Sequence, residues 1–330
     1  MIHPKITNKI ILITGGIGSI GAELVKNVLN FQPKQIRILD NNEFGLFTAM
    51  HQYQGQKNLR FLLGDVRDKD RVNWAMPGTD TVFHTAALKH VALNEYSPFE
   101  SVKTNVLGTQ NLLEAALNNN VTTFINISTD KAANPTSTMG ASKLLAERLT
   151  VGADYYKGKL ETAFASVRFG NVLNSSGSVI PIFLEQIKAG RPVTVTDKNM
   201  VRYFMTIPDA VELILKAAEI ALGGEIFILK MPALKIADLA GVMIETLAKK
   251  PITLKVIGKR PGEKLYEKIV TRTEASLALE LKDMYVLPTK DNWEYYRKNG
   301  GRPVPENGVE PKEFLTKEQI KQLLIKTNII

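Results

Sequence analysis

Short runs of β-branched and aliphatic residues alternate with helical periods along the first half of the chain. The runs Lys9–Thr14, Gln35–Leu39, Arg60–Leu63, Thr81–His84, Thr123–Ser128 and Thr162–Arg168 read as strands. Between them, Ser19–Asn30, Lys69–Ala75, Pro98–Asn119 and Thr138–Tyr156 repeat apolar residues at helical spacing. Strands that are apolar on both faces, each followed by a helix, predict an α/β fold with a doubly wound parallel sheet. After Gly170 the pattern changes. Helical stretches Pro181–Ala189, Ile207–Leu222 and Ile236–Ala248 are interleaved with the strands Val193–Val195 and Glu225–Leu229. The change divides the chain into a sheet domain over residues 1–170 and a smaller α/β carboxy-terminal part over 171–330, with chain crossings expected between them. Lys282–Arg302 is polar, aromatic and turn-rich, which predicts irregular structure. Thr316 with Gln319 makes a capping box that starts a last helix, Lys317–Lys326.

The first strand runs into Thr14-Gly15-Gly16-Ile17-Gly18-Ser19-Ile20-Gly21. Gly15 suits a tight turn, Gly18 lets the backbone approach a pyrophosphate, and Gly21 lets the helix pack closely on the strand. Ile17, Ser19 and Ile20 complete the turn and the start of a helix whose amino-terminal amides favour phosphate. Such glycines are weak evidence alone. Here the second strand ends in Asp40, where an acid is expected to bind the ribose hydroxyls of an adenine dinucleotide. The fold is therefore read as a Rossmann domain. A carboxylate at Asp40, with no arginine in Asn41-Asn42-Glu43, favours NAD over NADP. Asp65 and Val66, after the third strand, stand where the adenine would lie; Asp65 equally suits a helix cap.

The net charge is +9, with cations scattered along the chain. That balance suits a solvated basic surface or a diphosphate ligand, and no dense basic run with interleaved aromatics speaks for nucleic acid. There is no cysteine, so disulfides, thiolate nucleophiles and zinc–cysteine sites are excluded, which fits a reducing cytoplasm. No stretch is apolar enough for a membrane span, and Met1–Asn8 carries no signal-peptide core. The histidines His3, His51, His84 and His90 are not spaced as a metal site, and no metal is expected.

With the glycine turn, Thr85-Ala86-Ala87-Leu88-Lys89-His90 and Asn105-Val106-Leu107-Gly108-Thr109, the chain resembles the extended short-chain dehydrogenases/reductases. Ser128-Thr129-Asp130-Lys131-Ala132 and Met139-Gly140-Ala141-Ser142-Lys143 narrow the resemblance to the UDP-N-acetylglucosamine 4,6-dehydratases of polysaccharide and glycoprotein-glycan synthesis. It continues through Val167–Leu173, Gly177–Pro181, Arg202–Pro208 and Arg260–Lys264, and covers roughly residues 8 to 290. Many larger members carry membrane helices before the catalytic domain; this chain looks like that domain alone.

The resemblance implies a bound NAD, a UDP-N-acetylhexosamine substrate and a homo-oligomer. In such a dehydration a hydride leaves C4 of the sugar for NAD, a base removes the C5 proton as the 6-hydroxyl leaves as water, and the hydride returns to C6. Asp130 is then the acid at the 6-hydroxyl and Lys131 the base at C5. A lysine acts so only when neutral, which burial and a nearby cation such as Lys143 would favour. Lys143 is expected on the nicotinamide ribose, Thr85 and Ala86 beside the cofactor, and Asn105 in a supporting helix irregularity. Ser128, Thr129, Asn171 and the Val179 backbone are implied for the substrate. Arg202, Arg260 and Glu263 are implied for diphosphate and ribose, and Lys89 and Thr196 for the sugar and uracil sides. One departure matters. The superfamily's usual Tyr, four residues before the Lys on one helical face, is Met139 here, and a thioether cannot accept a proton. Thr129, a water or Asp130 would then serve the 4-hydroxyl. Val167–Leu173 with Arg202–Pro208 is more similar to the group that retains configuration at C5. A UDP-sugar 4-epimerase and, through Met139, a non-catalytic dinucleotide-binding regulator are the competing readings.

Overall fold

The computed structural model describes residues 3–175, 177–260, 262–306, 309 and 314–330. Its first half runs β1 (Ile10–Thr14), α1 (Ser19–Leu29), β2 (Gln35–Asp40), α2 (Glu43–Gln52), β3 (Leu59–Leu63), α3 (Lys69–Ala75) and β4 (Thr81–His84). There follow α4 (Val91–Tyr96), α5 (Pro98–Ser101), α6 (Gly108–Asn118), β5 (Thr123–Thr129), α7 (Thr138–Tyr156) and β6 (Ala163–Phe169). A π-helical turn, Val102–Leu107, joins α5 to α6, so the single helix expected over Pro98–Asn119 is interrupted at Asn105.

The second half runs β7 (Asn171–Val172), α8 (Val179–Lys188), β8 (Val193–Val195), β9 (Val201–Met205), α9 (Ile207–Ile220), β10 (Ile226–Leu229) and β11 (Ala233–Lys235). It ends with α10 (Ile236–Leu247), β12 (Leu254–Val256), α11 (Arg272–Ala275), β13 (Leu279–Glu280), β14 (Met284–Leu287), α12 (Lys290–Lys298), β15 (Arg302–Pro303) and α13 (Lys317–Lys326). Lys282–Arg302, expected to be irregular, is instead largely regular. It holds β14, which completes a sheet edge, and α12, which Thr289 caps by accepting from the Asn292 amide. The capping box at Thr316 and Gln319 starts α13 as the spacing predicts.

The main sheet has the order β15-β13-β14-β10-β6-β5-β4-β1-β2-β3. From β3 to β10 all pairs are parallel, and β14 then joins antiparallel. Alternate residues feed opposite faces. Ile11 and Ile13 point into a core with Leu24, Val28, Ile214 and Phe227, while Leu12 points into one with Val72, Leu112 and Phe164. Each fully buried aliphatic side chain there is worth about 1.5–3 kcal/mol. The chain crosses back after Gly170: α9 packs beside α1, and β10 pairs with β6, so both sides of that residue build one sheet. A separate core around Phe183, Leu239 and Leu324 organises α8, α10 and α13 with the small sheets β11-β9-β7 and β12-β8. Strand order reverses between β1 and β4, and the loops leaving their carboxyl ends diverge into a crevice. No helix among the described residues is long and apolar enough to cross a membrane.

Candidate active site

Two cavities occupy that crevice and share a wall made by Gly15, Gly18, Thr85, Ala87 and Leu88. One, of about 610 Å³, is lined by Ile17, Asp40, Asn41, Asp65, Val66, Arg67 and Ala86. The other, of about 490 Å³, reaches from Ser19, Ile20 and Gly21 to Lys89, Ser128, Thr129, Lys131, Met139, Lys143, Asn171 and Val179.

The glycine turn has the geometry its spacing implies. Gly15 has a φ of +67°, and a Cβ there would lie 2.6 Å from the Ala86 nitrogen. A Cβ on Gly18 would meet only the Gly15 carbonyl, at 3.2 Å, so its other side faces open space. Gly18 is also the N-cap of α1 and has no side chain to satisfy the first-turn amides, which leaves them for an anion. Asp40 closes the turn from β2: its carboxylate accepts from the Ile17 amide and from the Asn42 amide, each at 3.0 Å. Asp65 is held by Arg67 at 2.7 Å and by Asn41 at 3.2 Å. Burial alone would raise its carboxyl, but these bonds win and hold it below the usual range. The crevice thus fits a dinucleotide, with the uncapped start of α1 at the wall its two cavities share.

Beneath the shared wall lies a buried polar network. His84 Nδ1 is 2.8 Å from the Thr14 hydroxyl and Nε2 is 3.0 Å from the Thr109 hydroxyl. Thr109 spends its proton on the Asn105 carbonyl at 2.7 Å, so Nε2 carries the imidazole proton and Nδ1 accepts from Thr14. Burial, and then the charge of Lys143, push His84 down to about 3, so the ring stays neutral. The Asn105 side chain accepts from the Leu88 amide at 2.8 Å and donates to the Leu88 carbonyl and the Ser142 hydroxyl, both at 2.9 Å. Ser142 donates to the Met139 carbonyl at 2.8 Å. One side chain presented by the π turn therefore ties the loop after β4 to the helix that carries Met139 and Lys143. Burial pushes the Lys143 amine down to about 8, against the opposing pull of Glu147.

At the end of β5 the chain enters a tight 3-10 turn, Asp130–Ala132. Asp130 is fully buried and does not line the cavity. Its Oδ1 accepts from the Thr129 hydroxyl and the Lys131 amino group, both at 2.9 Å, while Oδ2 has no hydrogen-bond partner among the described residues. Lys131 also donates to Asn171 Oδ1 at 3.1 Å. The hydrogen bonds of Lys131 are thus with acceptors, while Lys143, the cation expected near it, lines the same cavity. The Ser128 hydroxyl, buried on the cavity wall, likewise has no hydrogen-bond partner among the described residues. Lys89 is exposed at the rim, and the surrounding wall lowers its amine below the usual lysine range.

Thr196, Arg202, Arg260 and Glu263 come together, but they do not line the cavity. Glu263 accepts from the Thr196 hydroxyl and the Arg260 amide, both at 3.1 Å, and lies 3.9 Å from the Arg202 guanidinium. The loop that carries Arg260 and Glu263 docks on the segment before α7, where Thr136 donates to the Gly262 carbonyl at 2.8 Å. Pro261 lies outside the described residues. His90 and Phe204 line the cavity without having been singled out. Each lies in a run that carries the family resemblance, and the His90 ring packs against Gly177.

The family described as "Polysaccharide biosynthesis protein" matches residues 11–289. A Methanocaldococcus jannaschii protein named an "uncharacterized membrane protein" is 54% identical over 96% of this chain and 95% of its own length. A "UDP-N-acetylglucosamine 4,6-dehydratase (inverting)" of Campylobacter jejuni is 40% identical over 84% of this chain and 82% of its own. A "UDP-glucose 4-epimerase" of Rickettsia rickettsii is 38% identical over 96% of each chain. The solved structure of Pen from Bacillus thuringiensis superposes with a TM-score of 0.92 at 41% identity, covering 98% of this chain and 99% of that one.

Proposed function

Because the chain belongs to the polysaccharide biosynthesis protein family, we propose that it is an NAD-dependent 4,6-dehydratase of UDP-N-acetylglucosamine. The observation that carries this reading is the linked set Thr129, Asp130, Lys131 and Asn171 on a cavity that also holds Lys143 and the glycine turn. The similarity to a relative named for that activity supports it.

Bound in the crevice, a nicotinamide would take the C4 hydrogen with its electron pair and return it at C6. The protein's residues do the rest. The first turn of α1 holds the pyrophosphate, Asp40 the adenosine ribose and Lys143 the nicotinamide ribose. Lys131, oriented by Asp130 and Asn171, acts as the free amine that removes the C5 proton, and Asp130, which does not line the cavity, passes a proton through the Thr129 hydroxyl to the 6-hydroxyl as it leaves as water. Met139 has no titratable group, so the 4-hydroxyl proton falls to Thr129, backed by Asp130, or to a water. Asn171 and the Val179 amide at the start of α8 meet the diphosphate, with Ser128 and Lys89 toward the sugar. Arg202 and Arg260 engage the UDP end once Arg202 exchanges Glu263 for a phosphate oxygen. We take the product to keep its C5 configuration and the enzyme to work in the cytoplasm as a homo-oligomer.

The test is the product. Purified protein given UDP-N-acetylglucosamine without added reductant is expected to form a 4-keto-6-deoxy sugar, seen by mass spectrometry as the loss of one water. Conversion at C4 with unchanged mass would establish the second reading, an epimerase, which the Rickettsia relative favours. NMR of the product reads the C5 configuration directly.

Two cofactor predictions follow from the crevice. Asp40 repels a 2′-phosphate, so calorimetry on stripped protein is expected to give tighter NAD than NADP binding. Asp40→Ala should weaken NAD and narrow that gap. Lys143 loses its charge as pH rises through about 8, and NAD affinity is expected to fall over the same interval. Lys143→Met should bind NAD more weakly and flatten that dependence; an unchanged slope would place the titration elsewhere.

A further inference from the structure

Between Glu245 and Glu263 the sequence carries Lys249, Lys250, Lys255, Lys259 and Arg260 and no carboxylate. All five of these cations are exposed. Elsewhere the surface cations often meet acids: Lys9 pairs with Asp80, Lys69 with Glu114, Lys216 with Asp283 and Lys317 with Glu245. Among the described residues none of the five is ion-paired.

The local fold spreads these charges over one strip. Lys249 and Lys250 follow the carboxyl end of α10, Lys255 lies on β12, whose one strand partner among the described residues is β8, and Lys259 and Arg260 follow β12. Ile252 and Leu254 pack inward against the core around Phe183 and Leu239. Val256 and Ile257 are instead 43% and 50% exposed among the cations. An aliphatic pair framed by unpaired lysines is the chemistry of a bilayer interface, where the apolar groups enter the headgroup layer and the cations meet anionic lipid. A nucleic acid would be better served by aromatic side chains for stacking, and residues 246–262 contain none.

We propose that this strip docks the protein on the anionic surface of a lipid bilayer. Arg260, at its end, joins the strip to the loop that packs on the segment before α7, so the docked face adjoins the substrate side of the molecule.

Sedimentation of the full chain with phosphatidylcholine vesicles, with and without phosphatidylserine, tests the proposal. Binding is expected only to the anionic vesicles, and it should weaken as salt rises. The combined variant Lys249→Gln, Lys250→Gln, Lys255→Gln and Lys259→Gln should lose about 10²–10³-fold in vesicle affinity, from the attraction each lysine contributes near a charged surface. It should turn over UDP-N-acetylglucosamine in solution like the parent, because none of these residues is placed in the site. A control with the same charge change at exposed lysines outside the strip, Lys34→Gln, Lys57→Gln, Lys159→Gln and Lys290→Gln, should keep its vesicle binding. Equal losses in both variants would mean a diffuse effect of net charge and overturn the proposal. So would binding to neither vesicle, or tighter binding to a single-stranded oligonucleotide that depends on the same lysines.

Discussion

Lys131→Met is expected to lower dehydration by about 10²–10⁴-fold, the usual contribution of a positioned general base. The ketone at C4 makes the C5 proton removable, yet a base must still stand within reach. Lys131 is the amine on the cavity wall that Asp130 and Asn171 orient together. With it gone, oxidation at C4 can still begin, so reduced nicotinamide should accumulate slowly in a single turnover, and solvent deuterium should no longer enter at C5. Met139→Leu, close in volume and equally unable to move a proton, should keep most of the activity. Near-normal turnover of Lys131→Met with deuterium still appearing at C5 would assign the base to another residue. Loss of activity in a folded, NAD-binding Met139→Leu would give the thioether a role.

Arg168→Leu is expected to destabilise the fold by about 3–5 kcal/mol, the cost of leaving buried carboxylates without their partner. Arg168 on β6 is fully buried and pairs with Glu147 of α7 at 2.8 Å and Glu274 of α11 at 2.9 Å. It also donates to the Ile269 carbonyl at 2.9 Å. Burial by itself would raise the Glu274 carboxyl, but Arg168 and Thr271 outweigh it and hold it below the usual range. A carboxyl depressed in the folded state stabilises above its unfolded value and loses that contribution as pH falls through the lower folded value. The parent should therefore weaken toward acid. Without Arg168 burial favours the protonated form of Glu274, so the variant's deficit should shrink there. Urea midpoints at neutral and acid pH measure both effects. An equal deficit at the two pH values would mean that lost packing, not unpaired charge, sets the cost.

The parallel strands and the glycine turn were legible because they obey local rules. Continuous β-branched runs mark strands covered on both faces, and Thr81–His84, Lys69–Ala75 and Thr138–Tyr156 have the bounds their patterns predict. Lys282–Arg302 was not legible. β14 is four residues long, and α12 buries only Tyr296, so neither shows a period. Its signal was the capping threonine Thr289, not hydrophobicity. The two cavities assemble most residues that the motifs name, because each motif follows a strand and strand ends converge. The sequence could not say which way side chains turn in the second half. Arg202 and Phe204 share one short strand, yet Phe204 walls the cavity while Arg202 is turned toward Glu263 and the Leu265 carbonyl.

The return of the chain to the sheet after Gly170 bears on how this scaffold can be recombined. β6 is buried along its whole length because β10 covers its outer side. β10 in turn comes after Asn171, Val172 and Val179, which wall one end of the cavity. A graft that replaced everything beyond Gly170 would strip the nucleotide-binding half of its neighbouring strand and of α9, the helix that packs beside α1. An interchangeable cassette for a different sugar would have to be cut twice. It would take the stretch between β6 and α9 and the stretch between β10 and β13, and leave the interposed helix and strand with the host.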